Sequence, residues 1–213
     1  MASNMVRRDN YRIQADQAKR HFLTYDQQAL IEKFPLDADE NYLYMTLLSQ
    51  PYRLCRKTGS PERFSRDRWI DGNSFEEVMT LLDLLCDSRE DRCLAGQLQS
   101  MQTFGLRFHQ NLLETRDLFA EQIDRNPHSF RRACEGLGGQ PIPHCDMGYA
   151  VELFDGLTAA IQFWHSDEEF PARVRWLWDG NALQYLKYET MYFAIGLIKK
   201  RITEAMAACD SML

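Results

Sequence analysis

The sequence predicts an α+β protein. A mainly antiparallel sheet is centred on a β-hairpin at residues 147–164, packed against several helices and closed by a long C-terminal helix. Three observations carry this. Helix-patterned and strand-patterned segments come in runs rather than in strict alternation, which argues against repeated βαβ units. Two apolar runs flank Asp155-Gly156, a dipeptide preferred in type I′ hairpin turns. The last patterned segment, Lys187–Met206, places Tyr188, Met191, Tyr192, Ile195, Ile198 and Ile202 on one helical face. A chain of 213 residues, 45% apolar and 26% charged, fits a single globular domain over 1–213 with enough interior to need no staples.

Residues 11–34 read as a helix broken near Leu23, with Ala15, Ala18 and Phe22 on one face and Ala29, Leu30 and Phe34 on another. Thr24 followed by Gln27 reads as a capping box restarting the helix, and Pro35 with the acidic stretch Asp37–Glu40 ends it. Tyr42–Leu48 and Tyr52–Arg56 read as strands, Lys57-Thr58-Gly59-Ser60 as a turn, and Pro61–Ser65 as the returning arm. Pro51 has no N–H to give a central ladder, so an edge or a bend is expected there. Ser74 and Glu77 form a capping-box pattern opening a helix over Ser74–Cys86, with Phe75, Val78, Met79, Leu82 and Leu85 as its apolar stripe. Residues 87–116 are weakly patterned and predict mixed short elements; Leu118–Ile123 predicts a helical turn.

Pro127 opens a further helix that Gly138 terminates, and Gly138–Pro143 is the best candidate hinge. In the hairpin a two-residue loop pairs Phe154 with Leu157 and Ala150 with Ile161. Both faces are apolar, so the hairpin is expected to be central and covered on both sides. Arg173–Trp178 alternates, with Val174, Trp176 and Trp178 inward, and predicts a third strand.

Charge is acidic overall, with 25 basic and 31 acidic residues giving a net −6, which argues against non-specific nucleic-acid binding. It is also patchy. Arg53, Arg56, Lys57, Arg63, Arg66 and Arg68 form one basic stretch, whereas Asp71–Asp91 holds seven acids and only Arg89. The plain reading is two oppositely charged or solvated faces. The sharper one is an anionic-ligand patch with Tyr52, Phe64 and Trp69 as stacking groups. Cys55, Cys86, Cys93, Cys134, Cys145 and Cys209 show no C-x-x-C spacing, so neither a zinc ribbon nor a redox motif is expected. No apolar run follows Arg7-Arg8 and no stretch of 18 apolar residues occurs, which predicts neither secretory signal nor membrane span. Scattered thiols in such a chain predict a reducing cytoplasm.

The chemistry-bearing constellation is His165, Asp167, Glu168 and Glu169, with His144, Cys145 and Asp146 at the other end of the hairpin. In the register that pairs Phe154 with Leu157, Asp146 falls opposite His165. An imidazole among carboxylates holds a divalent metal or forms an acid–base pair; the plain alternative is a loop whose acids bond backbone amides before Pro171. The candidate catalytic residues are Asp146, His165, Asp167 and Glu169, with no metal ligand set and no cofactor assigned. Cys134 and Cys145, with His128 and His144 as bases, are weaker nucleophile candidates, since Cys134 shares a helix face with Phe130 and Leu137. His21 and His109 have no patterned partners. Trp164, Trp176, Trp178 and Tyr185 read as packed core or as the wall of a flat apolar pocket. No Rossmann fingerprint, phosphate loop, H-E-x-x-H or G-x-S-x-G occurs, against the common nucleotide-dependent enzymes, zinc peptidases and α/β-hydrolases.

The run Asp167-Glu168-Glu169-Phe170-Pro171, the strand ending Leu177-Trp178-Asp179, then Tyr185-Leu186, Glu189 and a terminal helix resemble the prokaryotic domain-of-unknown-function family numbered 3786. Tyr42–Leu48, Pro51-Tyr52-Arg53 and the helix near Val78–Leu85 fit the family's order, so the likeness spans about residues 11–206. Ser166 stands where a glycine is usual, and Thr190 where a second acid often follows Glu189. The resemblance implies an intracellular prokaryotic protein with no assigned chemistry. Some relatives add an iron–sulfur cysteine motif, which this chain lacks. The expected function is a non-catalytic cytoplasmic binding or accessory protein, its partner a small molecule or a protein rather than a membrane or nucleic acid. The alternative is a metal- or acid–base-dependent enzyme using Asp146 and residues 165–169.

Overall fold

The computed structural model describes residues 2–105 and 117–210, with side chains over 9–105 and 117–209. His109 and the end of the weakly patterned stretch lie outside the described residues. The fold is α+β, with strands in two antiparallel sheets among the described residues. The chain divides into two compact units, Met1–Arg92 with Gln184–Leu197, and Cys93–Leu183 with Ile198–Leu213.

In the first unit, helix α1 (Ala2–Phe22) and helix α2 (Gln27–Lys33) precede a meander of β1 (Asp37–Ala38), β2 (Tyr42–Leu47), β3 (Gln50–Cys55), β4 (Pro61–Ser65) and β5 (Arg68–Asp71). The helix break falls where the sequence places it, but the cap is different. Asp26 accepts the amides of Gln28 and Ala29, whereas the Thr24 hydroxyl points back to the His21 carbonyl at 2.6 Å. A carboxylate is the better acceptor for free first-turn amides, so Asp26 takes the capping position. Pro51 corrects the edge expectation. It lies inside β3, which has neighbours on both sides, but the ladder with β4 begins one residue later at Tyr52, so no β4 bond is lost.

Helix α3 (Phe75–Asp87) starts as predicted, with the Ser74 hydroxyl accepting the Glu77 amide. It is buried well beyond its stripe, Thr80, Leu81, Asp83 and Leu84 included. The core face of the sheet carries Leu43, Met45, Leu47, Tyr52 and Leu54. Tyr52 donates to the buried Glu77 at 2.9 Å, and Arg63 approaches the same carboxylate at 3.8 Å. The anionic-patch reading therefore loses Tyr52 and Arg63 to the interior, and Arg53 is paired with Glu62.

In the second unit the sheet runs β6 (Leu98–Ser100), β10 (Arg173–Asp179), β9 (Leu157–Trp164), β8 (Met147–Phe154), β7 (Gln140–Pro141). The predicted hairpin is its centre. Val151, Leu153, Leu157, Ala159, Ala160, Ile161 and Phe163 are all within 1% of full burial, so both faces are covered. Asp155 and Gly156 take φ of 51° and 78°, as a type I′ turn requires. The register is nevertheless shifted. Phe154 faces Leu157, but Glu152 faces Thr158, which makes Leu153 an extra residue. Below this bulge Ala150 faces Ala160 and Tyr149 faces Ile161, one step off the sequence expectation.

Helix α4 (Leu118–Arg125) is capped by Asp117, and helix α5 (Pro127–Gly136) ends at Gly138. Gly138 has φ 74°, its amide reaches the Glu135 carbonyl at 3.0 Å, and Gly139 reaches Cys134 at 2.8 Å, a Schellman stop. The candidate hinge is thus a helix stop followed by the edge strand β7. Helix α6 (Tyr188–Asp210) gives its first part to the first unit and its last part to the second. Among the described residues no helix is long and apolar enough to cross a membrane.

Candidate functional site

The constellation at the open end of the hairpin is brought together in part. The bulge moves Asp146 out of line with His165, yet the strand ends stay close. The Asp146 amide donates to the Phe163 carbonyl at 3.1 Å, and its carboxylate accepts the His165 backbone amide at 2.8 Å. The imidazole goes elsewhere: His165 Nδ1 lies 2.7 Å from Asp124 Oδ1, and the Ser166 hydroxyl donates to Asp124 Oδ2 at 2.6 Å. Those two bonds, Ser166 first, hold the Asp124 carboxyl below the usual carboxylate range. Asp167 accepts the amides of Glu169 and Phe170 at 2.9 and 2.7 Å, which lowers its pKa and closes the turn before Pro171. Glu168 and Glu169 are exposed. Among the described residues, no group of three His, Cys, Asp or Glu side chains is placed to hold a metal ion.

Asp124 left no sequence signal, since it sits on α4, 41 residues before His165. The thiol candidates are not activated as nucleophiles. Cys134 is fully buried, and burial pushes its thiol up. Cys145 is also raised by burial and lies near the carbonyls of Ile142 and Pro143. Neither has the depressed pKa of a reactive thiolate. Trp178 is fully buried, Trp164 is half-buried beneath the Arg173 guanidinium at 4.6 Å, and Trp176 is half-buried against Phe119.

A second site, in the first unit, was not singled out by the sequence. A cavity of about 250 Å³ is lined by Gln14, Gln17, Ala18 and His21 of α1, Met79, Leu82, Asp83, Cys86 and Asp87 of α3, and Lys187. Asp83 is 5% exposed, and its carboxylate accepts the Thr190 hydroxyl. Lys187 lies 2.8 Å from Asp87 and 3.8 Å from Asp83. Burial pushes Asp83 up to about 6 against the opposing pull of Thr190 and Lys187. The same burial, with Asp87 and Asp83 adding to it, pushes the Cys86 thiol up to about 12. A carboxyl raised by burial beside a specific charge partner in a cleft marks a candidate functional site. The signal that marks it is an acid within the apolar run Leu81-Leu82-Asp83-Leu84-Leu85.

Against known proteins, the family model described as Domain of unknown function (DUF3786) matches residues 26–201. No curated protein and no solved structure matches the chain.

Proposed function

The chain belongs to the DUF3786 family, and on that footing we propose that it is a non-catalytic binding protein whose first unit takes a small amine-bearing ligand. The observation that carries this is the cavity between α1 and α3, where two carboxylates, Asp83 and Asp87, already hold one ammonium, that of Lys187. A ligand ammonium replaces Lys187 there. Gln14 and Gln17 offer amides from α1, and Ala18, Met79 and Leu82 receive apolar atoms. The Cys86 thiol beside the carboxylates stays protonated at neutral pH and does not act as a nucleophile.

Binding a cation requires ionised Asp83, so near pH 6 uptake of ligand releases a fraction of a proton, and above pH 8 it releases almost none. Calorimetry of a panel of primary amines and amino acids in buffers of different ionisation enthalpy checks this. The expected result is binding that is lost on N-acetylation of the ligand and in Asp83→Asn. Carboxylates without an amine binding equally well would overturn it. Localisation in a prokaryotic cytoplasm belongs to the same reading and is supported by six free cysteines. Alkylation of all six without reductant, read by mass spectrometry after denaturation, tests it.

A second reading, an acid–base enzyme at the hairpin end, is favoured by the 2.7 Å pair of Asp124 and His165. A carboxylate on Nδ1 fixes one tautomer and presents Nε2 as a base. In this version Asp146 and Asp167 shape the loop, and Glu169 stands at its exposed edge. Hydrolase and lyase screens on wild type and His165→Gln decide it; equal profiles remove the reading.

A further inference from the structure

The outer face of the first unit's sheet has a composition that the cavity does not explain. Register places one residue from each of the five strands in a single row: Asp37, Tyr44, Arg53, Glu62 and Asp71. Tyr42, Phe64 and Trp69 flank that row on the same face. Phe64 is 37% exposed, Asp37 and Asp71 are exposed, and Tyr42, Tyr44 and Trp69 are half-buried. The row carries three carboxylates and one guanidinium, a net of −2, and the guanidinium is already paired with Glu62. Arg53 also shows how these rings treat a cation: its guanidinium carbon lies 4.1 Å from the Tyr42 ring and 4.6 Å from the Trp69 ring. Phe64 meets Trp69 edge-on at 5.2 Å and leaves its other surface to solvent.

From this charge complementarity we infer that the face docks an extended, arginine-bearing peptide segment of a protein partner, laid across the strands. Guanidinium groups pair with Asp37 at one end and Asp71 at the other, and the exposed Phe64 ring receives the chain between them. The excess of carboxylates selects a cationic chain over a nucleic acid, whose phosphates the same groups repel. The geometry also sets a spacing. Four interstrand steps separate Asp37 from Asp71, about 19 Å, which an extended chain covers in about six residues. Arginines about six residues apart therefore reach both ends together.

Fluorescence anisotropy of a labelled peptide with two arginines separated by five Ser or Thr residues tests this on the full chain at low salt. Binding is expected to weaken about ten-fold in the Asp37→Asn, Asp71→Asn double variant, the combined effect of two exposed ion pairs. It should also weaken when both arginines become citrulline, in Phe64→Ser, and when the arginines are adjacent. Amide chemical-shift changes should fall on β1–β5. The inference fails if the citrulline peptide binds equally, if both variants bind like wild type, if oligouridylate binds more tightly than the peptide, or if the shifts fall on α1 and α3. Circular dichroism confirms that each variant folds, and because both aspartates are exposed, retained folding is expected.

Discussion

In the first unit a carboxylate, Asp83, is buried on α3 with the Thr190 hydroxyl and the Lys187 ammonium as partners and Asp87 beside it, and burial pushes it up to about 6. In the second unit Asp146 and Asp167 are exposed and Asp124 is half-buried; they are bonded to amides, a hydroxyl and an imidazole, and the carboxyls of Asp124 and Asp167 are pulled down. The same side chain is prepared for opposite work. Bonds to the charged form make an acid part of the scaffold, whereas burial makes its charge costly and leaves it dependent on a cation beside it. The second unit has a buried example of the first kind. Asp179 is 5% exposed and accepts the amides of Ala95, Gly96 and Asn181 at 2.9, 2.8 and 2.8 Å.

Four measurements break or sharpen this contrast. If Asp179 is scaffold, Asp179→Ala strands three amide donors and should cost about 3–4 kcal/mol in urea unfolding; a loss below about 1 kcal/mol would mean that water replaces the carboxylate. Asp83→Asn should do the reverse. A folded pKa raised above the unfolded value adds stability at low pH that is lost as pH rises through about 6. The amide escapes that loss, so the variant should be more stable than wild type by about 2 kcal/mol at pH 8 and no different at pH 4. Destabilisation at pH 8 would show that Lys187 and Thr190 fully compensate the buried charge.

The second unit's site depends on strand geometry, so its turn should matter too. A β-branched residue fits positive φ poorly, and Gly156→Val should cost about 1–2 kcal/mol by thermal unfolding, more than Gly156→Asn. Equal losses would place the strain elsewhere. The smallest effect is expected for Asp124→Ala. Its lowered pKa contributes stability above the unfolded value near 4 that is lost as pH falls through the folded value, so the variant should be weaker at pH 7 and the difference should shrink as pH falls below about 4. A difference that does not shrink would assign the loss to packing.

How legible these features are follows their reach along the chain. The Ser74 cap, the Gly138 stop and the Asp155-Gly156 turn each depend on a few consecutive residues, and each is where the sequence places it. The Asp26 cap is masked in the sequence by the competing Thr24 pattern; the Thr24 hydroxyl can also donate, and it does so to the His21 carbonyl, which leaves the amides to the carboxylate. The bulge at Leu153 has no local marker. It arises where two apolar faces are packed at once, and one extra residue is enough to move Asp146 off the His165 row. Asp124 and Asp83 needed still more: the first meets a loop 41 residues away, and the second is enclosed by residues from α1 and beyond α3.

By itself the sequence determined the α+β class, the central hairpin with its turn, the long last helix and the family, because periodicity and turn chemistry are written in neighbouring residues. Tertiary structure alone decided that the strands form two sheets, that Pro51 sits inside one of them, and which acids are bonded and which are buried. The reason is physical. A carboxylate's protonation and partners depend on burial and on groups brought close by folding, and neither is a property of its neighbours in the chain.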